Sequence, residues 1–151
     1  MSVTIDLATS DEDIAAVKQL FREYAQGLPI PLDFQGFDDE MATFPKGYDF
    51  LLLARLDGNP IGAVACKPHS VGCCEMKRLF VRPAGLGQGI GKTLSLDLMT
   101  RAKDFGYDAM ALDSLRRLKP AVKLYESLGF TEIEPYNYNP EDDVVYMRRD
   151  L

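Results

Sequence analysis

Val3, Ile5 and Leu7 alternate with polar neighbours, a period-two pattern that predicts a short, half-buried strand over residues 2–7. Thr9 and Ser10 then precede Asp11, Glu12 and Asp13, a helix start whose acids complement the positive end of the dipole. Behind it Ile14, Val17, Leu20, Phe21 and Tyr24 recur at helical spacing, predicting an amphipathic helix to about residue 25. Gly27, Pro29 and Pro31 exclude regular helix over 26–34, and residues 37–44 read as a second, short helix. Two apolar runs, 50–56 and 60–67, flank Asp57-Gly58-Asn59, residues that tolerate positive φ, and so predict an antiparallel hairpin. Pro68 to Gly72 breaks the chain again before a third strand, 73–81.

That strand ends at Arg82-Pro83 and passes through four alternating glycines, Gly85, Gly87, Gly89 and Gly91, into an amphipathic run that begins at Lys92. Leu94, Leu98, Ala102 and Phe105 share one helical face, and Gly106 ends the helix. Residues 107–113 read as a strand, so strand, loop, helix and strand form one parallel crossover in an otherwise antiparallel order. A helix continues through Ala121, Leu124, Tyr125 and Leu128 to Gly129, with Pro120 in its first turn. Two closing strands, 130–133 and 144–148, flank a loop over 134–143. No repeat, low-complexity tract or linker interrupts this order, so the expectation is a single domain over 1–151 with an α/β mixed sheet, mainly antiparallel.

A glycine loop between a strand and a helix is a place to hold a phosphate. Glycines let consecutive N–H groups turn towards one anion, and the first helical turn adds unpaired donors and the positive dipole end. Two known phosphate loops do not fit the spacing. A P-loop ending in Gly91-Lys92-Thr93 needs its first glycine at Leu86, and a dinucleotide fingerprint over Gly85 and Gly87 needs glycine or alanine at Ile90.

The run instead resembles the acyl-CoA loop of the GNAT N-acetyltransferase superfamily. Gly89-Ile90-Gly91 match its core, and Val81 and Pro83 match the preceding strand end. Leu86 stands where the family has arginine or glutamine, and Leu118 where it often has a coenzyme-contacting asparagine. Leu124-Tyr125-Glu126-Ser127-Leu128-Gly129-Phe130 resembles the family's second signature, in the right order and at about the right distance. The resemblance covers nearly the whole chain, most strongly 73–130. It implies the GNAT fold, with helices on both faces of the sheet, and acetyl-CoA as acyl donor. The coenzyme would be held by Leu79, Phe80 and Val81 on the strand and by Leu86, Gly87, Gln88, Gly89, Ile90, Gly91 and Lys92 in the loop. In the family the strand diverges from its neighbour, and the pantetheine arm pairs with it through groups such as those of Leu79 and Val81.

Composition narrows the remaining classes. No stretch approaches a membrane span and the first residues are no signal peptide, which leads to the expectation of a cytoplasmic protein with no membrane partner. The net charge of −6 and scattered lysines and arginines argue against nucleic acid and are compatible with a cationic amine acceptor. Cys66, Cys73 and Cys74 read as reduced thiols, and no metal is expected, because adjacent Cys73 and Cys74 point to opposite faces of a strand. The family resemblance leaves a homodimer open.

Transfer to an amine also needs a proton donor for the departing sulfur and an acceptor for the ammonium proton. Tyr125 matches the family tyrosine proposed as general acid; a phenol of pKa ~10 stays protonated beside a thiolate of pKa ~8.5. Glu75, on the strand that leads to the loop, is the candidate base, with Asp113 or a water chain as alternatives. Lys77 and Arg78 keep carboxylate-bearing acceptors open, and Tyr24, Phe34, Gln35, Phe37 and Glu40 are candidates to touch the acceptor. The expected activity is acetyl-CoA-dependent N-acetyl transfer to a primary amine of a small molecule or peptide. The alternatives are a noncatalytic acyl-CoA-binding domain and, third, a P-loop nucleotide-binding protein.

Overall fold

A computed structural model describes residues 2–29 and 36–151. Seven strands form one mixed sheet in the order β1-β2-β3-β4-β5-β7-β6. They are β1 (Val3–Leu7), β2 (Phe50–Leu56), β3 (Asn59–Ser70), β4 (Cys73–Val81), β5 (Ala109–Leu115), β6 (Thr131–Ile133) and β7 (Val144–Asp150). Four helices cover it: α1 (Asp11–Gly27), α2 (Phe37–Ala42), α3 (Ile90–Phe105) and α4 (Lys119–Ser127). β4 and β5 are parallel, and the other neighbours are antiparallel.

The alternation inside β2 and β3 explains why helices sit on both faces. Leu52, Ala54, Val64 and Cys66 point to one side and pack with Ile90, Leu94, Leu98 and Met99 of α3 and with Tyr125 and Leu128 of α4. Leu51, Leu53, Ala63 and Ala65 point to the other side and pack with Val17, Leu20 and Phe21 of α1 and Phe37 and Met41 of α2. A strand apolar on both sides must be covered on both, and each fully buried leucine or phenylalanine contributes about 1.5–3 kcal/mol towards that arrangement. Ser10 caps α1, accepting from the Asp13 N–H at 3.1 Å. Asp57 and Gly58, at φ 50° and 86°, form the hairpin turn.

Several boundaries differ from the sequence reading. β3 does not stop at residue 67 but runs through Pro68 to Ser70, because the irregular register against β4 between Pro68 and Ser70 accommodates the proline. α3 begins at Ile90 rather than Lys92, since Gly89 in the left-handed conformation serves as its N-cap. β5 starts at Ala109, two residues after the expected start, because the Tyr107 N–H continues the helix-ending turn to the Ala102 carbonyl. α1 ends at Gly27 and α2 at Ala42. Cys74 lies in the α3-side core and Cys73 on the opposite face, as their adjacency in a strand requires. No helix among the described residues is long and apolar enough to cross a membrane.

Candidate active site

The parallel pair β4–β5 is bonded only from Cys73 to Glu75 against Ala109 to Ala111. Beyond Glu75 the strands part: β4 continues to Val81 against β3, and β5 continues to Leu115 against β7. The β5-facing edge of β4, including Leu79, Phe80 and Val81, is thus without a strand partner among the described residues. A bulge accentuates the parting. Between Ala63 and Ala65 on β3, β4 has an extra residue, and Arg78 there takes φ 56°.

The glycine loop closes the end of this fork. Gly85 is its buried foot, since an added Cβ would lie 2.6 Å from Ile61 Cγ1 and 3.1 Å from Ile90 Cδ1. Gly87 and Gly89 take φ 80° and 73° with nothing within 4 Å of an added Cβ, so glycine is favoured there by conformation and not by space. The Leu86 N–H bonds Pro83, and the first helical bond is Thr93 to Gly89 at 3.0 Å. Between them the amides of Gly87, Gln88, Gly89, Ile90, Gly91 and Lys92 have no backbone acceptor among the described residues. Such a run at the start of a long helix is an anion-binding nest. Leu86 is 64% exposed, Gln88 caps back to the Ala84 carbonyl at 3.2 Å, and Lys92 is exposed. Nest and open strand edge together could hold a phosphorylated coenzyme with an amide-bearing arm.

Carboxylates and phenols gather where β4 and β5 separate. Glu75, 6% exposed, accepts from the Tyr136 hydroxyl at 2.6 Å, and Lys77 Nζ is 4.0 Å from its other oxygen. Asp113 lies two residues beyond the last β4–β5 pairing, with Oδ2 buried and without a hydrogen-bond partner among the described residues. Tyr125 is 8% exposed and packs edge-on to Phe130 at 6.1 Å. Burial, foremost, then the nearby Tyr24 and Asp113, pushes its phenol well above the ordinary range. Burial likewise pushes Tyr24 up to about 12, with Asp113 adding to the rise and Arg78 opposing it. Tyr136 rises through burial, the Glu75 charge and its hydrogen bond to Glu75.

The expected acceptor contacts divide. Tyr24 packs on Phe80 at 6.3 Å. Phe37 lies under the Arg78 guanidinium, 5.0 Å from its ring centre, and Glu40 pairs with Arg78 and accepts from Tyr48 at 2.6 Å. Phe34 and Gln35 fall outside the described residues. Tyr136, Tyr146 and Tyr48 were missed by sequence reasoning. Tyr136 stands on the 134–143 loop between His69 and Tyr146, with centroids 4.3 and 5.0 Å away. Tyr146 donates to Asn137 Oδ1 at 2.8 Å. Arg117 pins the loop's far end to Glu141 and Asp143, at 2.7 Å each. Two tyrosines beside prolines in that loop were the available signal, but nothing in the sequence gave their register against β4.

The profile of the Acetyltransferase (GNAT) family matches residues 14–130. The chain belongs to the GNAT acetyltransferase family. An uncharacterized N-acetyltransferase of Schizosaccharomyces pombe is 40% identical over 99% of this chain and 96% of its own length, and the enzyme class of this GNAT chain is N-acetyltransferase. Among solved structures, the PaiA N-acetyltransferase from Thermoplasma acidophilum in complex with coenzyme A superposes with a TM-score of 0.75 at 20% identity, covering 100% of both chains. YncA from Salmonella typhimurium, a putative acetyltransferase solved with acetyl-CoA, superposes at 0.74 with 18% identity, covering 99% of this chain and 94% of its own. The GNAT fold accounts for the parted strands as well as the helices on both faces.

Proposed function

We propose that residues 1–151 form one catalytic domain that transfers an acetyl group directly from acetyl-CoA to a primary amine of a small molecule or peptide. The observation that carries this reading is the fork between β4 and β5: the amide nest closes one end, and Glu75, Asp113 and Tyr125 gather where the strands part. Acetyl-CoA supplies an acetyl thioester, whose carbonyl is the electrophile and whose leaving group is a thiolate.

Each residue has a physical task. The amides of Gly87 to Lys92 and the dipole of α3 offset phosphate charge, with Gln88 and Lys92 at the exposed rim. The β5-facing edge of Leu79, Phe80 and Val81 offers backbone groups to the amides of the donor's arm. Glu75 accepts a proton from the acceptor ammonium, freeing the nitrogen lone pair to form the C–N bond while the C–S bond breaks. Tyr125 delivers its proton to the departing sulfur and takes back the second proton that the nitrogen sheds as the amide forms, giving the coenzyme thiol, the N-acetylated amine and a neutral phenol. Burial keeps that phenol protonated throughout the neutral range, so the donor form is always present. Asp113, with a buried oxygen lacking a hydrogen bond among the described residues, or a water chain is the alternative base to Glu75. Thiol release on mixing enzyme, acetyl-CoA and a panel of amines tests the reading, with an N-acetylated amine as the product to be found by mass spectrometry. Thiol release without an acetylated amine overturns it.

A further inference from the structure

We infer that the acceptor carries a carboxylate beside its amine, as an amino acid does, and that Lys67 and Lys77 read it. The inference rests on the acetyl-transfer reading of the same site. A cavity of about 230 Å³ opens beside Glu75 and is lined by Glu40, Lys67, Glu75, Lys77, Arg78 and residues of the 134–143 loop. It is smaller than the ~300–1,000 Å³ of pockets for drug-sized ligands, which favours a compact acceptor.

Its charges of opposite sign stand side by side on the β3–β4 face. Glu75 is the deepest carboxylate, at 6% exposure, and lies at the β4–β5 fork. Lys67 is directly opposite Glu75 in the β3–β4 register, and Lys77 lies one step further along the same face. The other lining carboxylate, Glu40, is already engaged by Arg78 and Tyr48. Lys67 makes no ion pair among the described residues, and Lys77 has only the 4.0 Å approach to Glu75. The chain as a whole carries −6, yet the described lining of this cavity holds Lys67, Lys77 and Arg78 against Glu40 and Glu75. A monoamine without a carboxylate would add a third cation beside Glu75 and bring no anion to Lys67 or Lys77. A molecule whose amine meets Glu75 and whose adjacent carboxylate lies between Lys67 and Lys77 satisfies both signs of charge.

The test compares glycine and L-alanine with their α-amides, at equal concentrations of free amine. The acids should exceed the amides about tenfold or more in kcat/KM. Lys67→Met and Lys77→Met should each lower the acid-to-amide ratio severalfold, and Lys67→Arg should retain it. Calorimetric titration with the N-acetylated products gives a readout independent of turnover, in which the acid form binds about tenfold tighter than the amide only where Lys67 is present. A ratio of one or less in the unmodified enzyme, or a ratio untouched by both methionine variants, overturns the inference while leaving acetyl transfer intact. If acetyl-CoA binds and other amines of the panel are acetylated while neither series is, this inference falls alone; if no amine of the panel is acetylated, the acetyl-transfer reading falls and this inference with it.

Discussion

Replacing Tyr125 with phenylalanine removes one oxygen from a ring otherwise fixed by packing. The ring is 8% exposed and edge-on to Phe130, and what shifts its phenol is burial and nearby charge, with no hydrogen bond contributing. The substitution therefore orphans no partner, and its effect on folding stability stays within about 1 kcal/mol. For a chain of 151 residues that is a Tm change of about 2–4 °C at most. Catalysis should respond far more. A positioned proton donor contributes about 10²–10⁴ in rate, or roughly 3–5 kcal/mol of barrier. The assay is thiol release at saturating acetyl-CoA and acceptor, with coenzyme affinity measured separately by calorimetry. We expect kcat to fall at least about a hundredfold and the coenzyme Kd to change less than about threefold. The phenol is held above its ordinary range, so the unmodified enzyme should show no descending limb from Tyr125 below about pH 10. A kcat within about threefold of the parent, or a descending limb near pH 8 that disappears in the variant, would refute the reasoning.

Further tests probe neighbouring parts of the account. Gly85→Ala places a methyl 2.6 Å from Ile61 Cγ1 and should cost about 1–3 kcal/mol, whereas Gly87→Ala meets open space and costs only about 1 kcal/mol of backbone strain. Equal melting temperatures would contradict the buried foot of the loop. Glu75→Gln keeps an oxygen for Tyr136 but cannot take a proton, so kcat/KM should fall about a hundredfold at neutral pH and recover as pH approaches the acceptor amine's own pKa; an unaltered profile assigns the base elsewhere. Tyr24, Tyr48, Tyr125 and Tyr136 all have raised phenol pKa values, so unfolded chains ionise near pH 10 while the fold resists. Stability is then complete below pH ~10 and lost above it, by about 1.4 kcal/mol per pH unit for each phenol and about 5 kcal/mol for the four together. Phenolate absorbance and loss of circular dichroism should coincide; gradual ionisation in a protein still folded would contradict the burial of these rings.

Much of this architecture is legible in the sequence because each strand and helix carries its own period. Leu51 to Ala54 announce a strand covered on both faces, and Val17, Leu20 and Phe21 announce the buried stripe of α1. The loop is legible too, since Gly87 and Gly89 occupy conformations that favour glycine. Leu86, a departure from the family pattern, points into solvent, consistent with a site built from backbone amides. What the sequence hides is long-range register. Tyr136 reaches Glu75 across 61 positions and Glu40 reaches Arg78 across 38, contacts that no local pattern encodes. The bulge at Arg78 is likewise invisible, because its positive φ is imposed by pairing with β3 on a residue type that rarely adopts it.

The most direct measurement is calorimetric titration of the protein with acetyl-CoA, CoA and ATP in parallel, repeated on Gly89→Asp. A side chain at position 89 meets nothing within 4 Å, and aspartate is among the residues that tolerate the left-handed conformation at a cost of about 1 kcal/mol, so the variant should fold while placing a negative charge in the amide nest. The account predicts micromolar binding of acetyl-CoA and CoA, much weaker binding of ATP, and loss of coenzyme affinity in the variant. Failure of either coenzyme to bind the unmodified protein, or undiminished binding to a folded Gly89→Asp, would contradict it.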